Sequence, residues 1–232
     1  MKTIALVAAA GSGTRLGSGC PKPYRLIGQR PMISYTLRAM DRCPELDRLV
    51  VIVSPGDEEF CERQVRDWGC LHKSYQIVAG GAQRQQSIYQ GLLAARGIAQ
   101  IVVIHDAARP FVSWQLVQQA IREAEKYGAC TAAIPLRDTL KRVNQDSLIE
   151  ETVPRHGLFL AQTPQAFRFD LLWAAHQQAL QEGFCGTDDS VLVERLGVAV
   201  RIIPGSIRNI KITYPEDLEL AERWLASGFI EI

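Results

Sequence analysis

Short runs of β-branched and other apolar residues alternate along the chain with longer helical patterns, and this limits the fold to an α/β sheet that is mostly parallel. The spacing predicts strands over 4–9, 49–53, 76–79, 101–105, 130–135 and 198–203, with helices over 32–41, 58–68, 84–95, 114–127, 170–182, 188–196 and 215–225. Helix ends are marked. Ser113 and Thr187 stand where an N-cap is favoured, and Gly69, Gly128, Gly183, Gly197 and Gly228 follow helical runs where a left-handed residue closes the last turn. One stretch breaks the alternation: 139–143 and 148–153 flank Asn144-Gln145-Asp146-Ser147, a polar turn between two β-prone runs, which predicts a hairpin. A lone two-stranded ribbon is marginal in water, so this arm is expected to pack on something, a second subunit being the natural candidate.

At 232 residues, with 47% hydrophobic and 22% charged, the chain can bury a full core as one large domain or one domain with a small appendage, which excludes disordered and fibrous classes. Basic and acidic residues number 26 and 25, leaving a net charge of +1 and no footprint for nucleic acid or an anionic membrane. Any bound anion must be held locally. The six cysteines form no CxxC pair and no Cys/His ligand spacing, which points to a reducing cytoplasm rather than a zinc site or a secreted disulfide framework. Lys2 followed by the apolar run 4–10 has the outline of a short signal peptide. That run sits at the lower length limit and passes directly into a glycine-rich loop containing Arg15, so it is read as a strand and a functional loop. Nothing approaches a membrane span of about 20 apolar residues.

Three clusters stand out, all at the C-terminal ends of expected strands, where open α/β sheets bind their ligands. The first is Ala8-Ala9-Ala10-Gly11-Ser12-Gly13-Thr14-Arg15, whose small residues let backbone N–H groups approach an anion. Leu16 stands where a dinucleotide fingerprint needs glycine, and the Gly-Lys-Ser/Thr ending of a Walker A loop is absent. The irregular stretch instead continues through Pro21 to Lys22, placing two cations on one long loop. The second cluster, Gly80-Gly81-Ala82-Gln83-Arg84-Gln85-Gln86-Ser87, opens a helix whose first turn offers free N–H groups. The third is His105-Asp106-Ala107-Ala108-Arg109-Pro110, where Asp106 and Arg109 form a local ion pair on the simplest reading. Thr187-Asp188-Asp189 reads most simply as helix capping.

Taken with Cys20-Pro21-Lys22, Arg137-Asp138-Thr139, Thr152-Val153-Pro154-Arg155, Gln162-Thr163-Pro164-Gln165, Thr187-Asp188-Asp189 and Asn209-Ile210-Lys211, these clusters resemble the 2-C-methyl-D-erythritol 4-phosphate cytidylyltransferases of the non-mevalonate isoprenoid pathway. The matching segments run in order along nearly the whole chain. The first loop and lysine are shared with many nucleotidyltransferases; the combination with 105–110 and 162–165 is narrower. The resemblance implies one Rossmann-like nucleotidyltransferase domain over 1–232, with 137–156 as a protruding β-hairpin arm exchanged across a homodimer. It implies a reaction of CTP with methylerythritol phosphate giving a CDP-linked product and pyrophosphate, with Mg²⁺ on the triphosphate and no metal site on the protein.

By the same resemblance Arg15 and Lys22 neutralise the triphosphate and the transition state. Ala9, Ala10, Gly11, Gly13 and Gly81, with Arg84 and Ser87, form the nucleotide loops, and Asp106 and Ala107 lie near ribose and acceptor. Arg155 and Lys211 hold the acceptor phosphate, with Arg109, Thr139 and Thr163 assisting. Ala8 stands where relatives often carry proline, and Gln86 where an acid is frequent. Two alternatives compete: a ribitol-5-phosphate cytidylyltransferase, which commonly has Ser-Val in place of Ala107-Ala108, and a non-catalytic nucleotide-binding protein, which should have lost one of the cations.

Overall fold

The computed structural model of the chain describes residues 2–11, 13–16, 20–69 and 71–230. Strand β1 (Thr3–Ala8) is buried along almost its whole length. After it come two very short strands, β2 (Leu26–Ile27) and β3 (Arg30–Pro31), which pair antiparallel as a separate ribbon, and helix α1 (Met32–Asp41). Strands β4 (Arg48–Val53), β5 (Ser74–Ala79), β6 (Ile101–Asp106) and β7 (Ala129–Pro135) then alternate with helices α2 (Glu58–Trp68), α3 (Arg84–Ala95) and α4 (Trp114–Tyr127). The chain leaves for the hairpin β8 (Leu140–Val143) and β9 (Ile149–Val153) and returns through β10 (Phe159–Arg168) and α5 (Phe169–Gln181). It continues with α6 (Ser190–Arg195), β11 (Arg201–Pro204) and α7 (Pro215–Ala226).

Seven strands make the central sheet in the order β11-β7-β10-β6-β1-β4-β5. All pairings are parallel except those of β10, which runs antiparallel to both its neighbours. Alternation along β1 explains why both faces need helices. Ala5 and Val7 pack with Leu37 and Met40 of α1, Cys61 of α2 and Val117 of α4, while Ile4 and Leu6 pack with Ile88 of α3, Leu172 of α5 and Leu192 of α6. A parallel sheet covered this way must be apolar on both sides, which is why its strands read as continuous hydrophobic runs.

The strand β10 is absent from the sequence reading. Its stretch FLAQTPQAFR places Pro164 among glutamines, and a proline inside a run argues against a central strand. The structure accommodates it with a register shift between Ala161 and Gln165, so the ladder is interrupted where the proline lacks a donor. Two boundaries also move. The last strand covers Arg201–Pro204 rather than 198–203, and α6 begins at Ser190, so Thr187 is not its N-cap. Ser113 does cap α4, its hydroxyl accepting the Leu116 N–H at 3.2 Å.

Chain order sets the position of the site. From β1 the sheet grows one way through β4 and β5, then returns to add β6 on the other side of β1. The strand order therefore reverses between β1 and β6, and the loops leaving those two strands diverge to leave a crevice. The arm lies elsewhere: β8 and β9 pair only with each other, and Leu148 and Ile149 are 63% and 62% exposed. Among the described residues no helix is long and apolar enough to cross a membrane.

Candidate active site

The crevice is a cavity of about 420 Å³ walled by residues 8–11 after β1, Lys22, the turn 81–84 before α3, residues 106–108 after β6, and Lys211. Two glycines close its walls. Gly13 has φ +64°, and a side chain there would collide with Lys22 Cβ, so only glycine lets the first loop fold back onto the short helical turn Lys22–Tyr24. At Gly80 a Cβ would lie 2.6 Å from Ser87 Oγ and 2.9 Å from Ala10 Cβ; the loops after β1 and β5 thus touch directly. The Gly81 N–H donates to Ser87 Oγ at 3.0 Å, fixing the turn against α3. Gln86 accounts for its own departure from the acid expected there: its Oε1 accepts the Gln83 N–H at 3.2 Å, which caps the helix.

Four cations, Arg15, Lys22, Arg84 and Lys211, and one acid, Asp106, line this cavity. Asp106 is buried, yet its carboxylate takes Arg84 Nε at 3.2 Å on one oxygen and Lys211 Nζ at 2.7 Å on the other. Burial alone would raise its pKa, but the Arg84 and Lys211 charges override it and hold the group well below the usual carboxylate range. It therefore stays ionised. The Lys22 pKa also falls, but for a lysine this disfavours the charged form: partial burial and the like charges of Lys211 and Arg15 bring it down to about 8. Arg15 lies over the ring of Tyr214, 5.6 Å from its centroid.

Behind Asp106 the polar groups determine one another. His105 is fully buried and its pKa is pushed down to about 4, so the ring is neutral near pH 7. The Arg109 carbonyl, 3.1 Å from His105 Nε2, can only accept, which places the ring proton on Nε2 and leaves Nδ1 to accept from Thr163 Oγ1 at 3.0 Å. Thr163 Oγ1 in turn accepts the Asp106 N–H at 3.0 Å. The loop carrying Lys211 is tied down at several points: the Ile212 N–H donates to the Ala108 carbonyl at 2.8 Å, and Asn209 Nδ2 to the Thr163 carbonyl at 2.7 Å.

The expected residues Ala9, Ala10, Gly11, Gly13, Arg15, Lys22, Gly81, Arg84, Ser87, Asp106, Ala107 and Lys211 all border the cavity. Ser12 lies outside the described residues. Arg109 and Thr163 do not border it: Thr163 is 5% exposed with its hydroxyl committed as above, and Arg109 Nη1 donates to the Asn209 carbonyl at 2.7 Å. The local Asp106–Arg109 ion pair is not formed, because Asp106 is already held by Arg84 and Lys211. Thr139 and Arg155 stand on the exposed arm, Arg155 donating to the Arg137 carbonyl. A wider groove of about 940 Å³, between Arg38, Trp114 and Arg208, shares no residue with the cavity.

Sequence reasoning reads Asp189 as helix capping within Thr187-Asp188-Asp189 and passes over His176. Asp189 Oδ2 accepts from Arg84 Nη1 at 2.7 Å, and Asp189 Oδ1 lies 3.2 Å from His176 Nε2. Neither an acidic run before a helix nor a histidine among the buried residues of α5 names the other as its partner.

A cation-lined cavity at the reversal point of a mostly parallel sheet, walled by glycine loops that are neither a dinucleotide fingerprint nor a Walker A loop, marks an α/β domain built to bind an anionic ligand. Comparison with known proteins narrows the class. The chain belongs to the 2-C-methyl-D-erythritol 4-phosphate cytidylyltransferase family, whose model matches residues 3–227. It is 44% identical over 228 residues to the enzyme of that name from Geobacter metallireducens, covering 97% of this chain and 98% of the relative. With the Geobacillus kaustophilus protein of the same name it shares 42% over 231 residues, 100% of each chain. A solved structure of 4-diphosphocytidyl-2C-methyl-D-erythritol synthase from Anaerococcus prevotii superposes with a TM-score of 0.86 at 31% identity, covering 97% and 96% of the two chains. The Thermus thermophilus cytidylyltransferase gives 0.80 at 33%, covering 97% and 100%.

Proposed function

We infer that this chain transfers the cytidylyl group of CTP to 2-C-methyl-D-erythritol 4-phosphate, giving 4-diphosphocytidyl-2-C-methyl-D-erythritol and pyrophosphate. The observation that carries the reading is the cavity with four cations around one ion-paired acid, in a chain of this family. A phosphate monoester with a second pKa near 6 is largely a dianion at neutral pH, so it attacks phosphorus without a general base. His105, neutral and hydrogen-bonded at both ring nitrogens, is then not needed as one. An acceptor phosphate oxygen bonds to the α-phosphorus of CTP as the α–β bridging bond breaks, and the electron pair leaves with pyrophosphate.

The chain's contribution is charge and position. Arg15 and Lys22 neutralise the triphosphate and the charge that builds on the leaving group. The loops at Ala9 to Gly13 and at Gly81, with Arg84 and Ser87, take the nucleoside, and Asp106 and Ala107 face the ribose and acceptor. Lys211 holds the acceptor phosphate, joined by Arg155 and Thr139 from the arm of a second copy in a homodimer; Arg109 and Thr163 support Asp106 and the Lys211 loop from behind. Mg²⁺ bound to the CTP phosphates supplies further neutralisation of the leaving group. Mg²⁺ usually keeps several waters and leans on substrate phosphates, so in this reading CTP oxygens and water would hold the ion. A cytoplasmic setting suits the exposed free thiols Cys20 and Cys185.

The test is pyrophosphate release with Mg²⁺, pairing CTP, UTP, ATP or GTP with methylerythritol phosphate or ribitol 5-phosphate. Turnover with CTP and methylerythritol phosphate alone is expected. Preference for ribitol 5-phosphate would reassign the acceptor, and no turnover with any pair would leave a nucleotide-binding protein.

A further inference from the structure

We propose that Asp189, braced by His176, is a positioning residue for the transfer reaction, holding Arg84 so that Arg84 and Lys211 share the Asp106 carboxylate. The proposal rests on the reading of Asp106 and Lys211 as acceptor-facing groups. Its basis is a line of alternating charges running from the cavity into the core, Lys211 Nζ to Asp106 Oδ2 at 2.7 Å, Asp106 Oδ1 to Arg84 Nε at 3.2 Å and Arg84 Nη1 to Asp189 Oδ2 at 2.7 Å, closed by a hydrogen bond between Asp189 Oδ1 and His176 Nε2 at 3.2 Å. Four packed elements and one loop meet along it, since Arg84 opens α3, Asp106 ends β6, His176 lies in α5, Asp189 precedes α6 and Lys211 follows β11.

Capping does not explain Asp189. The neighbouring Asp188 already does that work, its Oδ1 accepting the Val191 N–H at 3.1 Å, whereas the Asp189 side chain makes no cap bond. Asp189 and His176 are 1% and 2% exposed. A buried carboxylate is strongly unfavourable unless paired, and this one is paired on both oxygens while its backbone N–H is held by Gln165 Oε1 at 3.2 Å.

The geometry of the guanidinium explains what the pairing achieves. Arginine prefers to grip a carboxylate with two parallel N–H bonds. Arg84 does not grip Asp106 this way: the Nη1 bond to Asp189 sets the orientation of the guanidinium so that only Nε reaches Asp106, while Nη2 is buried without a hydrogen-bond partner. The second Asp106 oxygen is thereby left for Lys211, which fixes the ammonium at the cavity wall. Removing the Asp189 charge is expected to release this orientation, letting Nη2 join Nε on Asp106 and displace Lys211.

The experiment is a double-mutant cycle on pyrophosphate release, run well below each variant's melting temperature and at raised enzyme concentration for the weaker variants. Asp189→Asn is expected to lower kcat/KM for the acceptor roughly 10- to 100-fold. The loss should fall mainly on the acceptor KM, with the CTP KM changed by no more than about threefold, a split that general loosening of the fold would not produce. In an Asp106→Asn background, Asp189→Asn should cost no more than about a further threefold, because nothing remains for Arg84 to be positioned against. Losses that multiply, or that fall equally on both substrates, overturn the proposal. If Asp189→Asn does not fold, His176→Asn takes its place in the cycle, keeping the carboxylate but removing its brace, with a smaller loss that again must not multiply. An Asp106→Asn enzyme with full activity would instead remove the site reading on which the proposal rests, and the proposal with it.

Discussion

Asp106 and Arg155 are both expected to meet the acceptor, yet the protein treats them in opposite ways. Asp106 ends a buried strand, is 7% exposed, and has its carboxylate between two cations and its N–H on Thr163. Arg155 follows a hairpin whose strands pair only with each other among the described residues, and its side chain donates to the nearby Arg137 carbonyl. The cavity wall is organised before any substrate arrives, which is the condition under which fixed charges stabilise a transition state most. The arm has no such support within one chain, and the exposed apolar Leu148 and Ile149 give it a reason to pack on another.

The contrast can be broken most severely at the wall. Lys22→Ala is expected to lose about 10³-fold in kcat while keeping its circular dichroism spectrum, as removal of one preorganised charge-stabilising group does; turnover within a fewfold of the parent would contradict its role. On the arm, Arg155→Ala should lose about 10²-fold, mainly through the acceptor KM, with CTP binding by calorimetry unchanged. An effect on CTP affinity instead would place the arm at the wrong substrate.

Smaller effects sharpen the comparison. Thr163→Val removes the hydroxyl between His105 and the Asp106 N–H, leaving a buried donor unsatisfied, and should cost about 1–3 kcal/mol of stability in denaturant titration. Replacing Leu148 and Ile149 together with serine should leave the single chain's stability almost unchanged but weaken self-association measured by sedimentation. Lys22 also gives the wall a pH signature. Its pKa lies below the ordinary lysine value, so the charge is fully present below about pH 8 and is lost as pH rises through it. The profile of kcat/KM for CTP, which reports the free enzyme, should therefore fall above about pH 8, and Lys22→Arg should move that limb beyond the measurable range. A flat profile to pH 10 would rule out the assignment.

Much of this was legible in the sequence, for reasons that also explain what was not. The parallel strands announce themselves because burial on both faces makes them continuous apolar runs, and the loops after them carry glycine where a Cβ would collide, as at Gly13 and Gly80. The antiparallel β10 was hidden because Pro164 and its glutamines fit neither template. Charge partners were read wrongly where nearness in sequence was the only guide: Asp106 seemed to belong with Arg109, three residues away, but its partners are Arg84 and Lys211, 22 and 105 residues distant. Asp189 and His176 could not be linked to the cavity before the fold brought α3, α5 and α6 together.

The division between wall and arm is tested most directly by mixing two impaired variants, Lys22→Ala and Arg155→Ala, after dissociation and reassociation, and assaying at an acceptor concentration well below the Arg155→Ala KM. If the arm serves the neighbouring cavity, half the random dimers carry one intact site, and about a quarter of the parental activity should return. No recovery above the separate variants, with mixed dimers shown to form, would mean that each chain completes its own site and that the arm does not cross.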